Sequence, residues 1–379
     1  MLPVQAFFDA VRRENIEFFT GVPDSLLKDF CAYVTDHSCC ERHVIAASEG
    51  GAVALAAGQY LATGRPALVY MQNSGQGNAV NPLTSLADPD VFGIPMLLLV
   101  GWRGEPGVRD EPQHVKQGKV TLDVFAALGI HCEVLPNDIA AAVACLESAV
   151  RRMRAGSCPV ALVVRSGTFE RYTLRSDMAT SYELGREAAV ALVADTIGSE
   201  AVVIATTGMT SRELFEHRVS AGQSHRADFR TVGCMGHASQ IALGVALGQP
   251  GRPVFCLDGD GAAIMHMGGL AIIGQQQPAN FRHVVFNNGA HDSVGGQPTA
   301  GFSIDIPQIA TACGYRFAAT ASTVREISEG LRGLHEARGP ALLEIRVNKG
   351  ARSNLGRPTS TPADNKRELM QYLNVWPSA

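Results

Sequence analysis

The stretch R-P-V-F-C-L-D-G-D-G-A-A-I-M-H-M, from Arg252 to Met267, decides how the chain is read. An apolar run over 253–257 leads through Asp258 into Gly259-Asp260-Gly261, and small apolar residues then continue from Ala262 in a helical pattern. An apolar run that ends in glycines and passes into a helix is half of a βαβ unit, and such units build parallel sheets. Ligands of an open parallel sheet collect beyond the carboxyl ends of its strands. Asp260 is expected at such an end, and Gly259 and Gly261 let the backbone turn there and approach a ligand closely. The helix beginning at Ala262 points free N–H groups the same way, which favours phosphate oxygens. A carboxylate among phosphates is repulsive unless a cation lies between them. Mg2+ or Ca2+ fits, since both are hard ions that take oxygen ligands.

The next predicted strand ends in Val284-Val285-Phe286-Asn287-Asn288-Gly289. Its amides therefore arrive beside Asp260, and an amide oxygen adds a ligand without adding charge. Asp-Gly alone is a common turn; Asp-Gly followed by Asn-Asn at the next strand end is far more specific.

The same alternation of apolar runs and helical patterns fills the chain. Strands are expected at 17–21, 43–47, 66–71, 94–100, 131–135 and 159–165, and again near 201–206, 229–232, 253–257, 282–287 and 341–347. In the first half, helices fall between them at 4–14, 25–35, 50–62, 77–87, 118–128 and 138–154. An interval of 187 residues separates Thr20-Gly21 from Thr207-Gly208 and Arg65-Pro66 from Arg252-Pro253, and one of 181 separates the closing runs at Pro159 and Pro340. A near-constant offset over several elements predicts two α/β domains of one topology, each a mainly parallel sheet covered by helices on both faces. The first is expected over 1–168 and the second over 189–379, with the polar, aperiodic stretch 169–188 as linker and no central third domain.

Composition narrows the function. Of 379 residues, 46% are apolar and 18% charged, enough to bury two cores. A net charge of −4 without a basic run argues against nucleic acid as a partner. The first residues lack the basic and apolar regions of a signal peptide, and no apolar stretch reaches the roughly 20 residues of a membrane span. Nine cysteines without C-x-x-C spacing are expected to be free thiols of a cytoplasmic protein.

Gly259-Asp260-Gly261 with Asn287-Asn288 resembles the diphosphate-binding motif of thiamine-diphosphate-dependent enzymes. The resemblance implies thiamine diphosphate and Mg2+, with Asp260, the Asn288 side chain and the Ala290 carbonyl as metal ligands. It implies cofactor contacts from Gly208, Gly233, Gly259, Gly261, Ala262 and Ser293, with Met235 in Gly233-Cys234-Met235-Gly236 propping the cofactor into a bent form. In Ser48-Glu49-Gly50-Gly51, Glu49 reads from its own context either as a first-turn glutamate that stabilises a helix dipole or as a catalytic carboxyl. The resemblance favours the second, a proton exchanged with the cofactor's pyrimidine ring. It also implies a homo-oligomer in which Glu49 of one subunit serves the cofactor of another.

Finer motifs narrow the family. Thr20-Gly-Val-Pro-Asp-Ser-Leu-Leu, Met71-Gln-Asn-Ser-Gly-Gln-Gly-Asn, Trp102-Arg-Gly-Glu-Pro-Gly, Asp110-Glu-Pro-Gln-His and Gly350-Ala-Arg-Ser-Asn-Leu-Gly-Arg-Pro look like the phosphonopyruvate decarboxylases, with sulfopyruvate decarboxylases close by. The implied reaction turns 3-phosphonopyruvate into phosphonoacetaldehyde and carbon dioxide in phosphonate and antibiotic biosynthesis. The alternative is a sulfopyruvate decarboxylase or another thiamine-dependent 2-keto acid decarboxylase or carboligase. Strand ends place Asp24, Ser25, Asn73 and Ser74 as substrate or catalytic contacts, and His291, Asp292 and His114 as proton carriers. Arg103, Arg109, Arg352 and Arg357 are candidate phosphonate clamps, because guanidinium grips oxyanions with paired hydrogen bonds.

Overall fold

Every strand named here pairs in parallel with its neighbours. The computed structural model describes residues 1–176 and 179–375. In the first half β1 (Phe19–Gly21), β2 (His43–Ile45), β3 (Ala67–Gln72), β4 (Met96–Gly101), β5 (His131–Val134) and β6 (Val160–Val164) form one sheet in the order β2-β1-β3-β4-β6-β5. In the second half the strands are β7 (Val202–Ala205), β8 (Asp228–Arg230), β9 (Val254–Gly259), β10 (Phe281–Asn287), β11 (Phe317–Ala321) and β12 (Ala341–Arg346). Their order, β8-β7-β9-β10-β12-β11, is the first order with every number raised by six. The topology repeats, as the near-constant sequence offset predicts.

Period-two alternation makes each sheet a wall between two cores. Leu97 and Leu99 of β4 face one cluster with Phe7, Phe30 and Leu146, while Met96, Leu98 and Val100 face another with Val53, Ala56 and Phe125. Val203 and Ala205 of β7 pack with Val193, Leu214 and Leu331, whereas Val202 and Ile204 pack with Ala242, Ile273 and Ala310. Helices therefore cover both faces of both sheets. Each buried Leu, Val or Phe contributes about 1.5–3 kcal/mol of transfer free energy, so the central strands hold most of the apolar stabilisation. All nine cysteines are free. Among the described residues no helix is long and apolar enough to cross a membrane.

The chain divides into two compact units, Met1–Asp177 with Ser293–Gln297, and Met178–Asp292 with Pro298–Ala379. Described residues of the stretch expected as a linker make definite contacts. Phe169 is buried in the first core, and Asp36 accepts hydrogen bonds from the Tyr172 hydroxyl and from Ser176. On the other side Tyr182 and Asn348 bond one another twice, and a helix starts at Arg186, ahead of the expected boundary.

Three further differences have local causes. β11 is absent from the sequence reading because Phe-Ala-Ala-Thr-Ala has little β propensity and, as a half-exposed edge strand, shows no apolar run. The helix expected from 118 begins at Pro112, whose fixed φ suits a first helical position. The helix after Asp260 is broken into Asp260–Met265 and Gly268–Gln276.

The second helix lies close against the segment before β11: a Cβ on Gly274 would stand 1.7 Å from the Cys313 carbonyl oxygen. Gly274→Ala is therefore expected to destabilise the protein by about 1–3 kcal/mol. Denaturant unfolding measures this, and an unchanged midpoint would contradict that packing.

Candidate active site

The second unit gathers oxygen ligands at the carboxyl ends of β9 and β10. β9 delivers Asp260, 3% exposed, directly from its last residue Gly259. The Thr299 hydroxyl and the backbone N–H groups of Gly261 and Asn288 donate to its carboxylate. Burial outweighs these bonds and pushes the carboxyl up to about 6. Gly301 closes the other side, since a Cβ there would lie 2.4 Å from Asp260 Oδ2. β10 delivers Asn287 and Asn288 in opposite roles. Asn287 turns inward, donating to Glu344 at 2.6 Å and to the Gly301 carbonyl at 2.8 Å, so it braces the loop. Asn288 accepts the Ala290 N–H on its Oδ1 at 3.1 Å, which folds the loop so that Ala290 follows as a buried turn residue. Asp260, Asn288 and the Ala290 carbonyl offer a carboxylate, an amide and a peptide oxygen. That donor set fits a hard divalent cation, and a cation would relieve the cost of the buried charge.

Other expected residues of this unit have definite partners. Gly208, at φ +96°, starts the helix Met209–Ser220 after β7. Gly233 donates its N–H to Thr207 Oγ1 at 2.9 Å, tying the ends of β7 and β8 together. Met235 is half-buried beside it, and Ala262 is buried. His291 stands over Gly261, and burial lowers its imidazole to about 4, leaving it neutral near pH 7. Asp292 is locked by Arg186 at 2.9 Å and Asn288 at 2.7 Å. Arg352 is held by Glu187 and Glu216, and Arg357 lies exposed in the following segment. Ser293 is exposed and groups with the first unit.

The first unit assembles its own cluster at the matching edge of its sheet. Ser48 caps the helix Glu49–Thr63, and Glu49, 5% exposed, follows β2. Asn78 donates to Glu49 Oε2 at 2.8 Å, and Oε1 has no hydrogen bond among the described residues. Gly75 makes the space, because a Cβ there would meet Glu49 at 2.5 Å. Asp24, after β1, is fully buried; it accepts the Leu26 N–H at 2.9 Å on one oxygen, and its other oxygen has no partner among the described residues. Burial pushes this carboxyl up to about 6 against the pull of that N–H and of Arg103. Arg103, after β4, forks onto Asp110 through Nε and Nη2 and reaches Ser25 Oγ with Nη1 at 2.7 Å. Asp110 also meets His114 Nδ1 at 2.9 Å. Burial lowers the His114 imidazole, while the bonds from Arg103 and His114 outweigh burial to hold Asp110 well below the usual carboxylate range. Asn73 spends both amide hydrogens on the Arg103 carbonyl and Thr121, each at 2.8 Å. Ser74 is exposed and bonded to Gln72, and Arg109 is exposed.

The structure thus joins Asp24, Ser25, Asn73, Arg103 and His114 in one unit and Asp260, Asn288, Ala290, His291 and Asp292 in the other. Sequence reading misses Gly75, Asn78, Asp110, Thr299, Gly301, Arg186 and Glu213. Gly75-Gln-Gly-Asn78 and Thr299-Ala-Gly301 are the local signals, glycines spaced with side-chain donors.

Residues 3–127 match the model described as the N-terminal TPP binding domain of thiamine pyrophosphate enzymes, and residues 206–345 match the C-terminal TPP binding domain. The chain is similar to a phosphonopyruvate decarboxylase of Streptomyces viridochromogenes, 35% identical over 94% of this chain and 91% of that one. A phosphonopyruvate decarboxylase of Streptomyces hygroscopicus is likewise 35% identical, over 95% of this chain and 91% of its own. A sulfopyruvate decarboxylase of Methanosarcina acetivorans is 24% identical over 98% of both.

Asp24 gives this site a signature in stability. Its folded carboxyl binds a proton more tightly than the unfolded one, so its share of stability is intact below about pH 4 and lost as pH rises through about 6. Asp24→Asn removes the titration. Its stability relative to the unsubstituted protein is expected to rise by up to about 3 kcal/mol between pH 4 and pH 7, by denaturant unfolding. A difference that stays flat across that window would refute the buried, half-satisfied carboxyl.

Proposed function

The chain belongs to the thiamine-diphosphate-dependent 2-keto acid decarboxylases, carboxy-lyases of two parallel-sheet domains, and we propose that its substrate is 3-phosphonopyruvate. One observation carries the choice of substrate: 35% identity over 94% of the chain to a phosphonopyruvate decarboxylase, against 24% to the sulfopyruvate enzyme. In the proposed reaction the bond from the keto carbon to the carboxylate breaks, carbon dioxide leaves, and a proton enters at the former keto carbon to give phosphonoacetaldehyde. Thiamine diphosphate, when bound, supplies the electron sink for that bond. Such a step serves phosphonate, and hence antibiotic, biosynthesis in the cytoplasm.

The chain's residues divide the remaining work. Asp260, Asn288 and the Ala290 carbonyl would hold Mg2+ against the diphosphate, and Gly208, Gly233 and Met235 would border the cofactor. Glu49, with Oε2 held by Asn78, presents Oε1 to exchange a proton with the cofactor's ring nitrogen. Arg103 is fixed by Asp110 and Ser25 before any substrate arrives, so its remaining N–H groups meet an anion without loss of side-chain freedom. His114 gives Nδ1–H to Asp110 and its imidazole is lowered by burial, so Nε2 is the nitrogen that would take up and pass on a proton, and this makes it the first unit's best proton carrier. Asp24, holding its proton up to about pH 6, is the second.

Self-association is also part of the reading. The helix Glu49–Thr63 buries Ala52, Val53, Ala56 and Ala57 but leaves Leu55 40% and Leu61 72% exposed. In the second unit Leu247 and Ile272, on the helices Ala238–Gly248 and Gly268–Gln276, are about half exposed. Apolar helix faces of this kind are covered by a partner surface, and a second copy of the chain is the partner proposed.

Three measurements test these statements. Steady-state kinetics is expected to give a higher kcat/KM for phosphonopyruvate than for sulfopyruvate, and the reverse order would reassign the substrate. Glu49→Gln is expected to keep magnesium-dependent cofactor binding by calorimetry but lose at least about 100-fold in turnover; undiminished turnover would remove Glu49 from the chemistry. Leu61→Asp is expected to shift sedimentation to a smaller species with loss of activity, and unchanged assembly would place the interface elsewhere.

A further inference from the structure

An asparagine ligand raises a problem that a carboxylate does not: its two ends have nearly the same shape, and only one of them binds a cation. Asn288 Oδ1 accepts the Ala290 N–H at 3.1 Å, while its Nδ2 donates to Asp292 Oδ2 at 2.7 Å. Turning the amide over would press an oxygen against a carboxylate and an NH2 group against an N–H. The orientation is therefore set by Asp292, which sits one helical turn's length further along the loop and has no direct place among the oxygen donors.

Asp292 is itself fixed. Its Oδ2 also accepts from Arg186 Nη1 and from the Gly350 N–H, both at 2.9 Å. Arg186 turns its other edge to Glu213, with Nε to Oε2 and Nη2 to Oε1 each at 3.0 Å. The side chains of Arg186, Glu213 and Asp292 are 7%, 1% and 11% exposed, so these charges attract one another with little screening by water. Two carboxylates and one guanidinium leave the cluster with one net negative charge, a field that favours a cation at Asn288. Arg186 opens the helix after β6, Asn288 follows β10 and Gly350 follows β12, so three separate parts of the unit donate to one carboxylate oxygen, while Glu213, on the helix after β7, backs Arg186.

We infer that Asp292 is a positioning residue rather than a proton carrier: it holds the Asn288 amide with its oxygen toward the cation, and Arg186 braced by Glu213 holds Asp292. The inference rests on the proposed role of Asn288 as a metal ligand and assigns that ligand its support. Partners of this kind change metal affinity by about 10–100-fold when removed, because the ligand loses its fixed geometry.

The test uses the full-length protein stripped of cofactor and metal, titrated with Mn2+ to millimolar levels in the presence of thiamine diphosphate. Electron paramagnetic resonance of free Mn2+ reports binding without reference to turnover. Asp292→Ala is expected to weaken Mn2+ binding about 10–100-fold, and Asp292→Asn, which keeps an oxygen but loses the charge, to fall between it and the unsubstituted protein. In an Asn288→Ala background the same Asp292→Ala change is expected to add less than about twofold, because a positioning residue acts only through what it positions. Thermal unfolding of the metal-free variants checks that each folds, and Asp292→Asn supplies the comparison if Asp292→Ala does not. An equal loss in both backgrounds, or Mn2+ binding by Asp292→Ala as tight as by the unsubstituted protein, would overturn the inference. Failure of the unsubstituted protein to take up Mn2+ would overturn the thiamine-diphosphate reading instead, and the two failures are told apart by which protein shows them.

Discussion

A carboxylate buried at the end of a central strand is the constraint on which the second unit is organised. Asp260 is removed from water by Thr299, Gly301 and the loop after β10, and its burial pushes the carboxyl up to about 6. A polypeptide that only needed a turn there would leave the carboxyl in solvent. Kept inside, among peptide N–H groups and beside an amide oxygen, it suits the proposed role of holding a hard cation that would complete the charge. The Asx turn at Asn288 and the inward brace of Asn287 on Glu344 shape the loop beside that carboxylate.

The repeat shows how one topology is divided between two tasks. Positions equivalent in strand order carry different chemistry: Asp24 and Gly208 follow β1 and β7, Asn73 and Asp260 follow β3 and β9, and Arg103 and Asn288 follow β4 and β10. Where the second unit places the carboxylate of Asp260, the first places the neutral amide of Asn73, which ties loops together. Where the second places the amide of Asn288, the first places the guanidinium of Arg103. The scaffold sets the edge at which side chains meet, and the loops decide the sign of the charge that meets there.

Strand positions were legible because the central strands are buried on both faces and read as unbroken apolar runs, as in Met96–Gly101 and Phe281–Asn287. β11 was hidden for the opposite reason, an alanine-rich edge with neither run nor alternation. At the site, Glu49, Asp260 and Asn288 stood out because glycines flank or follow them at strand ends. Their supports did not. Asn78, Asp110, Thr299 and Glu213 are ordinary polar residues whose meaning lies in contacts across 29, 7, 39 and 27 positions of sequence, and no local pattern encodes such a separation.

The arginines settle a more general point about how such a site handles anions. Arg103 is matched by Asp110, Arg186 by Glu213 and Asp292, Arg218 by Asp228 and Arg352 by Glu187 and Glu216. An unpaired guanidinium in these places would be costly to bury and would drift toward whichever anion arrived. Pairing lowers that cost and fixes the plane of each fork, but it also reduces the net attraction for a dianion. Strength must then come from geometry. In Arg103 the Nε–Nη2 edge is spent on Asp110, so an incoming oxyanion meets only the N–H groups left pointing away from that edge. A rigid, partly neutralised fork rewards a ligand whose oxygens lie at the right spacing and gains little from one that only carries charge. On the proposed role of Arg103 as an anion clamp, selection among 2-keto acids with anionic tails would be a matter of shape more than of total charge.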